Sequence, residues 1–378
     1  MQKIKNSAEL SKNELRKVAL QIAEAGLQAI DTREAIKENV ILAPETLTIK
    51  GHIFELKDID RIFVVGIGKC SLDSAKALEE ILGDKIYKGM VIDIKSDNSL
   101  KYIKSSEGDH PFPTDRNVDL TGQMISILHE VTEKDLVIAI ISGGGSTLLC
   151  QPLNFTCQDE KEVLDCLFHG GATIQEINTL RKHLSLARGG FLAKHAHPAK
   201  LVGLIFSDVV DNELEYIASG PTILDTTTVE DAKTIAEKYF ISEKCGFNQE
   251  HLIETPKEAD NFKNVTNILL VSNVSALEAM KSKAEQLGYL PSVCSTSLTG
   301  EASVVGSELI SKIHDTPPKT VHLYGGETIV RIKGMGKGGR NQELALGGLR
   351  GLSENECILA IASDGRDNSD VAGAICDT

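Results

Sequence analysis

From residue 62 onward, short apolar segments alternate with segments of helical periodicity, and this alternation constrains the fold more than any other feature. Four apolar segments have the length of buried strands, and three helical patterns lie among them. The strands are predicted at 62–65, 89–94, 136–141 and 201–206, and the helices at 72–82, 120–131 and 174–186. Because parallel strands need crossover connections, this alternation predicts an α/β domain whose mostly parallel sheet is covered by helices.

A second α/β unit is predicted after the polar segment 247–264. A chain of 378 residues exceeds the usual size of a single hydrophobic core. We therefore predict a Rossmann-like domain over 1–245, with helices on both faces of its sheet, and a smaller α/β domain over 246–378. The second unit has predicted strands at 268–271, 289–295, 321–324 and 358–362, and predicted helices at 275–287 and 301–313.

The first residues of the chain predict an amphipathic helix. Ser11 and Glu14 have the spacing of a capping box, in which each side chain bonds to the other's backbone. Apolar residues then follow at helical spacing, which predicts that one face of this helix is buried.

Composition excludes several classes of function. The net charge of −14 argues against non-specific binding to nucleic acid or to anionic membranes, which needs a basic surface. No run of 18 apolar residues appears, and the N-terminus has no apolar core of a secretory signal. The eight cysteines form no C-x-x-C pair, so we expect reduced thiols in a cytoplasmic protein. We also expect small-molecule substrates and a monomer or homodimer.

The first predicted strand runs into a glycine loop that ends in a lysine. Here Gly66 and Gly68 are only two residues apart, whereas a P-loop needs four residues between its glycines to wrap the phosphates. Cys70 also replaces the hydroxyl that would hold magnesium. The loop is therefore not a P-loop, but it places Lys69 at a helix start, where an anion is favoured. The alternative is a tight turn with an ordinary surface lysine.

A second loop carries three consecutive glycines between a buried strand and a helix. Gly143, Gly144 and Gly145 let backbone N–H groups approach a ligand closely, and the hydroxyls of Ser142 and Ser146 flank them. A flexible connector is not expected between a buried strand and its helix. The segment favours binding of an oxyanion or a phosphate.

Two further loops follow predicted strands. The loop at 105–115 contains two prolines and a polar cluster that includes His110, which fits either a substrate contact or a merely stiff turn. In the loop at 206–222, Asp208 stands just past a strand end, where it could hold Mg²⁺ or cap a helix. Ser219 and Gly220 add a second glycine loop with a hydroxyl.

The segment 322–347 contains a formal nucleotide fingerprint, because Gly334, Gly336 and Gly339 satisfy G-x-G-x-x-G. The segment before it alternates in polarity and follows a Gly325-Gly326 turn. That pattern predicts a hairpin rather than the first strand of a βαβ unit.

The same segment carries two cations, Lys337 and Arg340, which suit a highly charged phosphate better than a dinucleotide. Glu327 and Asn341 add polar groups, and Asp364 follows the last predicted strand as a candidate ligand for Mg²⁺. Cations, glycine loops and strand-end carboxylates are the parts that phosphoryl transfer needs.

The chain resembles the glycerate 2-kinase family of the type with a C-terminal MOFRL domain. The resemblance is carried, in collinear order, by "GIGKC", "EGDHPFPTDRN", "ISGGGSTLL", "INTLRKHLSLARGG", "SDVVDNELEYIASGPT", "GGETIV", "GKGGRNQELAL" and "ASDGRD". It implies phosphorylation of D-glycerate to 2-phosphoglycerate with ATP and Mg²⁺, in a cleft between two α/β domains.

Carried over by position, the family's important lysine corresponds to Lys69 and its important arginine to Arg340. The glycine loop would hold the phosphate of the nucleotide or substrate, and Asp208 with the loop of Ser219 would line the cleft. Family members continue for roughly forty residues past the end of this sequence, so we expect the natural second domain to be longer.

Two alternatives to the kinase stay open at this point. Relatives have been named hydroxypyruvate reductases, and the G-x-G-x-x-G match is the sequence feature that favours an NAD(P)H-dependent enzyme of this kind. A non-catalytic protein that binds sugar acids is the third hypothesis, although both cations and every glycine loop are present.

Overall fold

A computed structural model describes residues 2–207, 213–314, 316–332, 334 and 336–378. The chain divides into two compact units. The larger unit is Ala35–Val271, and the smaller unit combines Met1–Glu34 with Ser272–Thr378. This division lies at 271/272 rather than at the predicted 245/246, and it gives the first 34 residues to the smaller unit.

The larger unit is built on a six-stranded sheet in which every neighbouring pair is parallel. The spatial order is β6-β5-β4-β7-β8-β9, so the chain builds outward from β4 in one direction and then returns to the other side of β4. This is the strand order of a doubly wound Rossmann-like sheet, which confirms the predicted fold class. The strands are β4 (Ile62–Ile67), β5 (Ile86–Asp93), β6 (Ile103–Glu107), β7 (Leu136–Ser142), β8 (Lys200–Phe206) and β9 (Val265–Val271).

Helices cover both faces of this sheet. The central strands β4 and β7 are completely buried, which explains their continuous apolar sequences. On one face Phe63, Val65 and Ile67 pack with apolar residues of two helices, α5 and α9. The helices are α3 (Thr32–Asn39), α4 (Ser71–Leu82), α5 (Asp115–Leu128), α6 (Gly145–Leu148), α7 (Cys157–His169), α8 (Ile174–Lys182), α9 (Phe191–Ala196), α10 (Val229–Lys238) and α11 (Ile241–Cys245).

The larger unit also contains a small antiparallel sheet that the sequence pattern did not predict. It has the order β1-β2-β3. Its strands are β1 (Val40–Leu42), β2 (Thr46–Ile49) and β3 (His52–Glu55). Leu47 and Ile49 are fully buried, whereas Ile53 is 65% exposed, so only part of this sheet contributes to the core.

The smaller unit has two short sheets with helices packed on them. β10 pairs with β11 in parallel, and β12 pairs with β13 antiparallel. Gly306 and Gly347 let the backbones of α13 and α14 approach closely. The elements are α1 (Ser7–Leu10), α2 (Glu14–Ala29), α12 (Asn273–Gln286), β10 (Leu290–Leu298), α13 (Ala302–Ser311), β11 (Thr320–Gly326), α14 (Arg340–Leu349), β12 (Cys357–Ile361) and β13 (Gly373–Asp377).

The predicted amphipathic helix is α2, but its predicted capping box is wrong. Asn13 is the N-cap, and its side chain accepts a hydrogen bond from Arg16 N–H at 2.9 Å. The Ser11 hydroxyl instead donates to Ser7 O. Asn caps a helix as well as Ser does, so the capping-box pattern placed the helix start two residues too early.

Two other predictions need correction. The strand predicted at 268–271 belongs to the larger unit rather than the smaller one, because it is part of β9 and pairs with β8. The predicted hairpin at Gly325-Gly326 is absent from the described residues, because β11 continues through both glycines. Glu327 N–H and Ile329 N–H then donate to Leu298 O and Gly300 O, so the chain runs on parallel to its neighbour.

The structure places Cys166 of α7 and Cys245 of α11 as a disulfide pair, which differs from the expectation of reduced thiols at these two residues. The other six cysteines form no disulfide. In the described part of the chain, no helix has the length and apolar composition needed to cross a bilayer.

Candidate anion-binding site

Two of the predicted loops meet at the centre of the large sheet. β4 and β7 are neighbours, but the connections that follow them lead to opposite sides of the sheet. Such a topological switch point leaves a crevice at the carboxyl ends of the two strands, where open α/β sheets bind ligands. The glycine-lysine loop follows β4 there, and the triple-glycine loop follows β7.

Close packing holds the two loops together. Gly68 has φ +108°, and a Cβ there would overlap the hydroxyl and carbonyl of Ser142. Lys69 N–H donates to Gly143 O at 3.0 Å, and Cys70 N–H donates to Ser142 Oγ at 3.3 Å. Gly68 is therefore required both by its left-handed backbone and by the approach of β7.

The start of α4 is already occupied by a carboxylate. Leu72 N–H donates to Asp93 Oδ2 at 3.0 Å, and Asp93 is fully buried at the end of β5. Burial raises the pKa of Asp93 above its ordinary value, although backbone N–H groups oppose that effect. The start of α4 therefore does not offer its full set of N–H groups to an anion, and Lys69 itself is the group that the loop presents.

The triple-glycine loop has backbone donors to spare. In the described part of the chain, no acceptor takes a hydrogen bond from the N–H groups of Gly144, Gly145 or Ser146. Gly144 has φ +79°, and a Cβ there would lie 3.1 Å from Lys69 Cε and 3.4 Å from His110 Cδ2. These N–H groups, the exposed Lys69 and the His110 imidazole are thus neighbours.

The proline-containing loop is tied to the glycine loop. His110 precedes a cis peptide bond to Pro111, and Thr147 Oγ1 donates to Pro111 O at 3.3 Å. Burial lowers the pKa of His110 below its ordinary value, and the charges of Lys69 and Arg181 lower it further. His110 therefore contributes a neutral imidazole at neutral pH, close to two cations.

A chain of hydroxyls links the second hydroxyl-bearing loop to the glycine loop. Ser146 Oγ lies 2.9 Å from Ser219 Oγ, which donates to Asn178 Oδ1 at 2.8 Å. Ala218, Ser219 and Gly220 are all left-handed, with φ +52°, +58° and +58°. Left-handed backbone is costly for alanine and serine, and strain of this kind is often kept at functional sites.

Sequence reasoning did not single out two residues of α8, Asn178 and Arg181. They lie three residues apart and so share one face of the helix. The sequence signal for these two residues was the segment "INTLRKH". In that segment, polar side chains stand directly beside the buried helical residues Ile177 and Leu180.

In the smaller unit, Arg340 and Glu327 form an ion pair. Arg340 is the first residue of α14, and Asp367 caps that helix. Asn341 N–H and Gln342 N–H donate to the two carboxylate oxygens of Asp367 at 3.0 and 2.8 Å. Burial acts to raise the pKa of Asp367, but these hydrogen bonds outweigh burial and lower it below the ordinary value.

The described residues of the G-x-G-x-x-G match do not have the contacts of a nucleotide loop. A Cβ added at Gly334 or Gly336 would have no described atom within 4 Å, so no described contact requires glycine there. A Cβ at Gly339 would overlap Asp367, which identifies the neighbour that this glycine accommodates. Since Asp367 occupies the start of α14, a phosphate cannot take the same N–H groups. Lys337 is exposed.

Of the two predicted metal ligands, Asp208 lies outside the described residues. Asp364 is exposed, and its Oδ1 accepts a hydrogen bond from Arg366 N–H at 3.0 Å. The described residues include no group of three His, Cys, Asp or Glu side chains that could hold a metal ion.

The predicted site residues thus form two sets, one in each unit. The structure brings one set together at the switch point of the larger unit: Gly68, Lys69, His110, Ser142, Gly143, Gly144, Gly145, Ser146, Ser219 and Gly220. The other set lies in the smaller unit: Glu327, Lys337, Arg340, Asn341 and Asp364. Within that second set, Glu327 contacts Arg340, and Asn341 contacts the helix-capping Asp367.

Fold and site define a Rossmann-like α/β protein with a cationic switch point and a second, smaller α/β unit. Residues 18–254 match a domain family of unknown function (DUF4147), and residues 320–378 match the MOFRL family. The chain belongs to the glycerate 2-kinase family.

Several relatives support this assignment. The glycerate 2-kinase of Pyrococcus horikoshii is 37% identical over 96% of this chain and 86% of its own length. The D-glycerate 2-kinase of Thermotoga maritima is 36% identical with the same coverage. A crystal structure of a glycerate kinase from Thermotoga maritima has a TM-score of 0.84 at 34% identity, covering 96% of this chain and 86% of that one.

Another relative has a different name. A putative hydroxypyruvate reductase of Agrobacterium vitis is 34% identical over 83% of this chain and 86% of its own length.

Proposed function

We propose that this protein transfers a phosphoryl group from ATP to the 2-hydroxyl of D-glycerate, giving 2-phosphoglycerate. Family membership supports the reaction. The observation that carries the proposal is the meeting of Lys69 with three unused N–H groups of the glycine loop at the topological switch point. A transferring phosphoryl group needs this combination, because its equatorial oxygens carry charge that cations and fixed N–H dipoles stabilise.

Each part of this set has a distinct task in the proposal. Lys69 neutralises charge on the phosphates, and the N–H groups of Gly144, Gly145 and Ser146 bind their oxygens. Tight packing of Gly68 against Ser142 keeps these groups in place before substrate arrives. Preorganisation of this kind stabilises the transition state without further rearrangement.

The predicted site residues of the smaller unit also take part in the proposed reaction. We infer that Arg340 adds a second cation for the same reaction and that Glu327 orients it through their ion pair. Lys337 and Asn341 remain candidates for substrate contact.

We also propose that Mg²⁺ accompanies ATP. Mg²⁺ bound to a nucleotide needs only one or two protein carboxylates beside phosphate oxygens and water, so a cluster of three protein ligands is not required. Asp364 fits that requirement as an exposed carboxylate with one oxygen uncommitted by the hydrogen bond to Arg366 N–H. When bound, the ion would neutralise charge on the phosphates.

Reductase activity finds no support in the geometry. A dinucleotide places its pyrophosphate on the first N–H groups of the helix after the first strand. Here Asp93 takes the N–H of Leu72 at the start of α4, and Asp367 caps α14.

We also propose a cytoplasmic location, small-molecule substrates, and a monomer or homodimer.

An ADP-release assay tests the proposal directly. Purified protein is incubated with ATP and D-glycerate, L-glycerate or no acceptor, with and without Mg²⁺, and the product is identified as the 2- or 3-phosphate. We expect ADP and 2-phosphoglycerate with D-glycerate and Mg²⁺ only. Oxidation of NADH with hydroxypyruvate would support the reductase instead, and binding of glycerate without ADP release would support a non-catalytic protein.

A further inference from the structure

Arg181, at the end of α8, has a buried donor without a partner among the described residues. Its Nε is inaccessible to solvent and makes no hydrogen bond. No described carboxylate forms an ion pair with this guanidinium. An unsatisfied buried donor is costly, and an uncompensated buried cation is more so, which is why proteins seldom keep one without a use.

The neighbouring Arg188 differs from Arg181 in having a carboxylate partner. It is fully buried, its Nη1 donates to Glu160 Oε1 at 2.7 Å and its Nε donates to Leu149 O at 2.9 Å, while its Nη2 has no partner among the described residues. Glu160 is therefore already paired. Among the described residues, two guanidinium groups share one carboxylate, which leaves this cluster with a net positive charge and Arg181 without an ion-pair partner.

That charge persists at neutral pH. Burial, and then the charge of Arg188, lower the pKa of Arg181 to about 10. A pKa of about 10 still leaves the guanidinium protonated at pH 7. The cluster of Arg181, Arg188 and Glu160 therefore keeps its net positive charge at neutral pH.

Arg181 lies on the side of α8 that adjoins the anion-binding loops. Asn178, one turn earlier on the same face, accepts a hydrogen bond from Ser219 Oγ, and Ser219 contacts Ser146 of the glycine loop. The charge of Arg181 also acts on His110, which lies beside Gly144 of that loop.

We propose that Arg181 binds the carboxylate of the hydroxy-acid acceptor, an inference that rests on the proposed kinase function. One carboxylate supplies the single negative charge that the Arg181, Arg188 and Glu160 cluster lacks, whereas a triphosphate carries several. The planar guanidinium matches the geometry of a carboxylate. The phosphates of the nucleotide are bound instead by Lys69 and the glycine loop in the proposed function. Acceptors must then carry a carboxylate, so glycerol is not a substrate.

Steady-state kinetics of Arg181→Met and Arg181→Lys test this role. A charged hydrogen bond of this kind corresponds to a roughly 10- to 100-fold change in affinity. We expect Arg181→Met to raise KM for D-glycerate by about that factor with KM for ATP unchanged. Arg181→Lys keeps the positive charge but loses the paired N–H donors of the planar guanidinium. Its KM for D-glycerate should therefore lie between those of wild type and Arg181→Met. A change confined to KM for ATP would overturn the assignment and give Arg181 to the nucleotide.

Thermal unfolding without substrate separates binding from a structural role. Arg181→Met removes an uncompensated charge, so its Tm should equal or exceed that of wild type. The matched control, Arg188→Met, leaves the buried carboxylate of Glu160 without its ion-pair partner and should lower Tm. If Arg181→Met lowers Tm as much as Arg188→Met does, Arg181 is structural and the proposal is wrong.

Ligand-induced shifts in Tm keep the test independent of turnover. D-Glycerate should raise the Tm of wild type and of Arg188→Lys, but not of Arg181→Met, and glycerol should raise none. This result would support carboxylate binding even if wild type released no ADP, in which case the kinase function alone would fail. An equal shift in wild type and Arg181→Met would overturn the proposal.

Discussion

Each of the two units contains a glycine-rich loop that ends in a cation at the start of a helix. The surroundings of the two loops differ. In the larger unit, Gly68 is fixed by Ser142, and Lys69 is exposed beside the triple-glycine loop. In the smaller unit, Gly336 has open space around it, and Arg340 is paired with Glu327.

The comparison shows that glycine spacing does not identify an anion site. Both helices that follow these loops are already bonded to a buried aspartate, Asp93 for α4 and Asp367 for α14. The unused N–H groups lie instead in a third loop, after β7, which has no cation of its own. The proposed phosphate site thus depends on the neighbouring strand ends of a sheet, not on one motif.

The largest expected effect is on turnover. Replacing Lys69 by Ala removes the cation beside the glycine loop, and loss of such a group typically costs about 10²- to 10³-fold in kcat. Lys85→Ala, an exposed lysine just past the other end of α4, is the control and should retain wild-type kcat. Near-normal turnover by Lys69→Ala would remove the lysine from the proposed mechanism.

A second test concerns why Gly68 is glycine. Gly68→Ala puts a side chain at φ +108° and into Ser142, so we expect a loss of more than about 3 kcal/mol in the free energy of unfolding. Gly246 is also left-handed, at φ +69° and ψ +13°, but a Cβ there would have no described atom within 4 Å. Gly246→Ala should therefore cost only about 1–2 kcal/mol, measured by denaturant unfolding. Equal losses would show that packing against Ser142 is unimportant.

A third test is the cap of α14. Asp367→Asn should cost about 1 kcal/mol at pH 7, because the ionised carboxylate is the better acceptor for two N–H groups. The lowered pKa of folded Asp367 means that its stabilisation is complete above the ordinary pKa of Asp, about 3.9, and is lost as pH falls further. Unfolding followed from pH 7 to pH 2 should show a smaller loss of stability in the variant. A parallel decline would mean that Asp367 does not titrate with folding.

The smallest expected effect is on the nucleotide-like motif. Gly336→Ala should change both stability and kcat/KM little, within about 0.5 kcal/mol, since no described atom approaches that position. Gly339→Ala should be clearly destabilising, because its Cβ would overlap Asp367. Loss of ATP binding in Gly336→Ala with stability intact would restore the motif as a phosphate loop.

Strand positions in the larger unit could be predicted because buried parallel strands have continuous apolar sequences, as in β4 and β7. The glycine loops could be predicted because they follow such strands. Strand order could not be predicted, since it depends on which strands pair. The switch point that brings Lys69 next to Gly144 therefore appears only in three dimensions.

Several features that the sequence did not predict depend on contacts between distant residues. Asp367 reaches the helix that begins 27 residues earlier, at Arg340, and Asp93 reaches back to Leu72. Local patterns cannot show such caps. The Gly325-Gly326 pair has the local composition of a turn, but parallel pairing of the following segment with residues 298–301 keeps it extended.

The smaller unit is assembled from both ends of the chain. α2 packs against α12, and Arg16 of α2 forms an ion pair with Asp377 of β13. During synthesis, α2 leaves the ribosome before α12, and the whole larger unit is translated in the interval. The apolar face of α2 therefore has no partner from the smaller unit until α12 and β11 have been made. A separately expressed segment from residue 246 onward would lack this helix and expose Leu277 and Leu323.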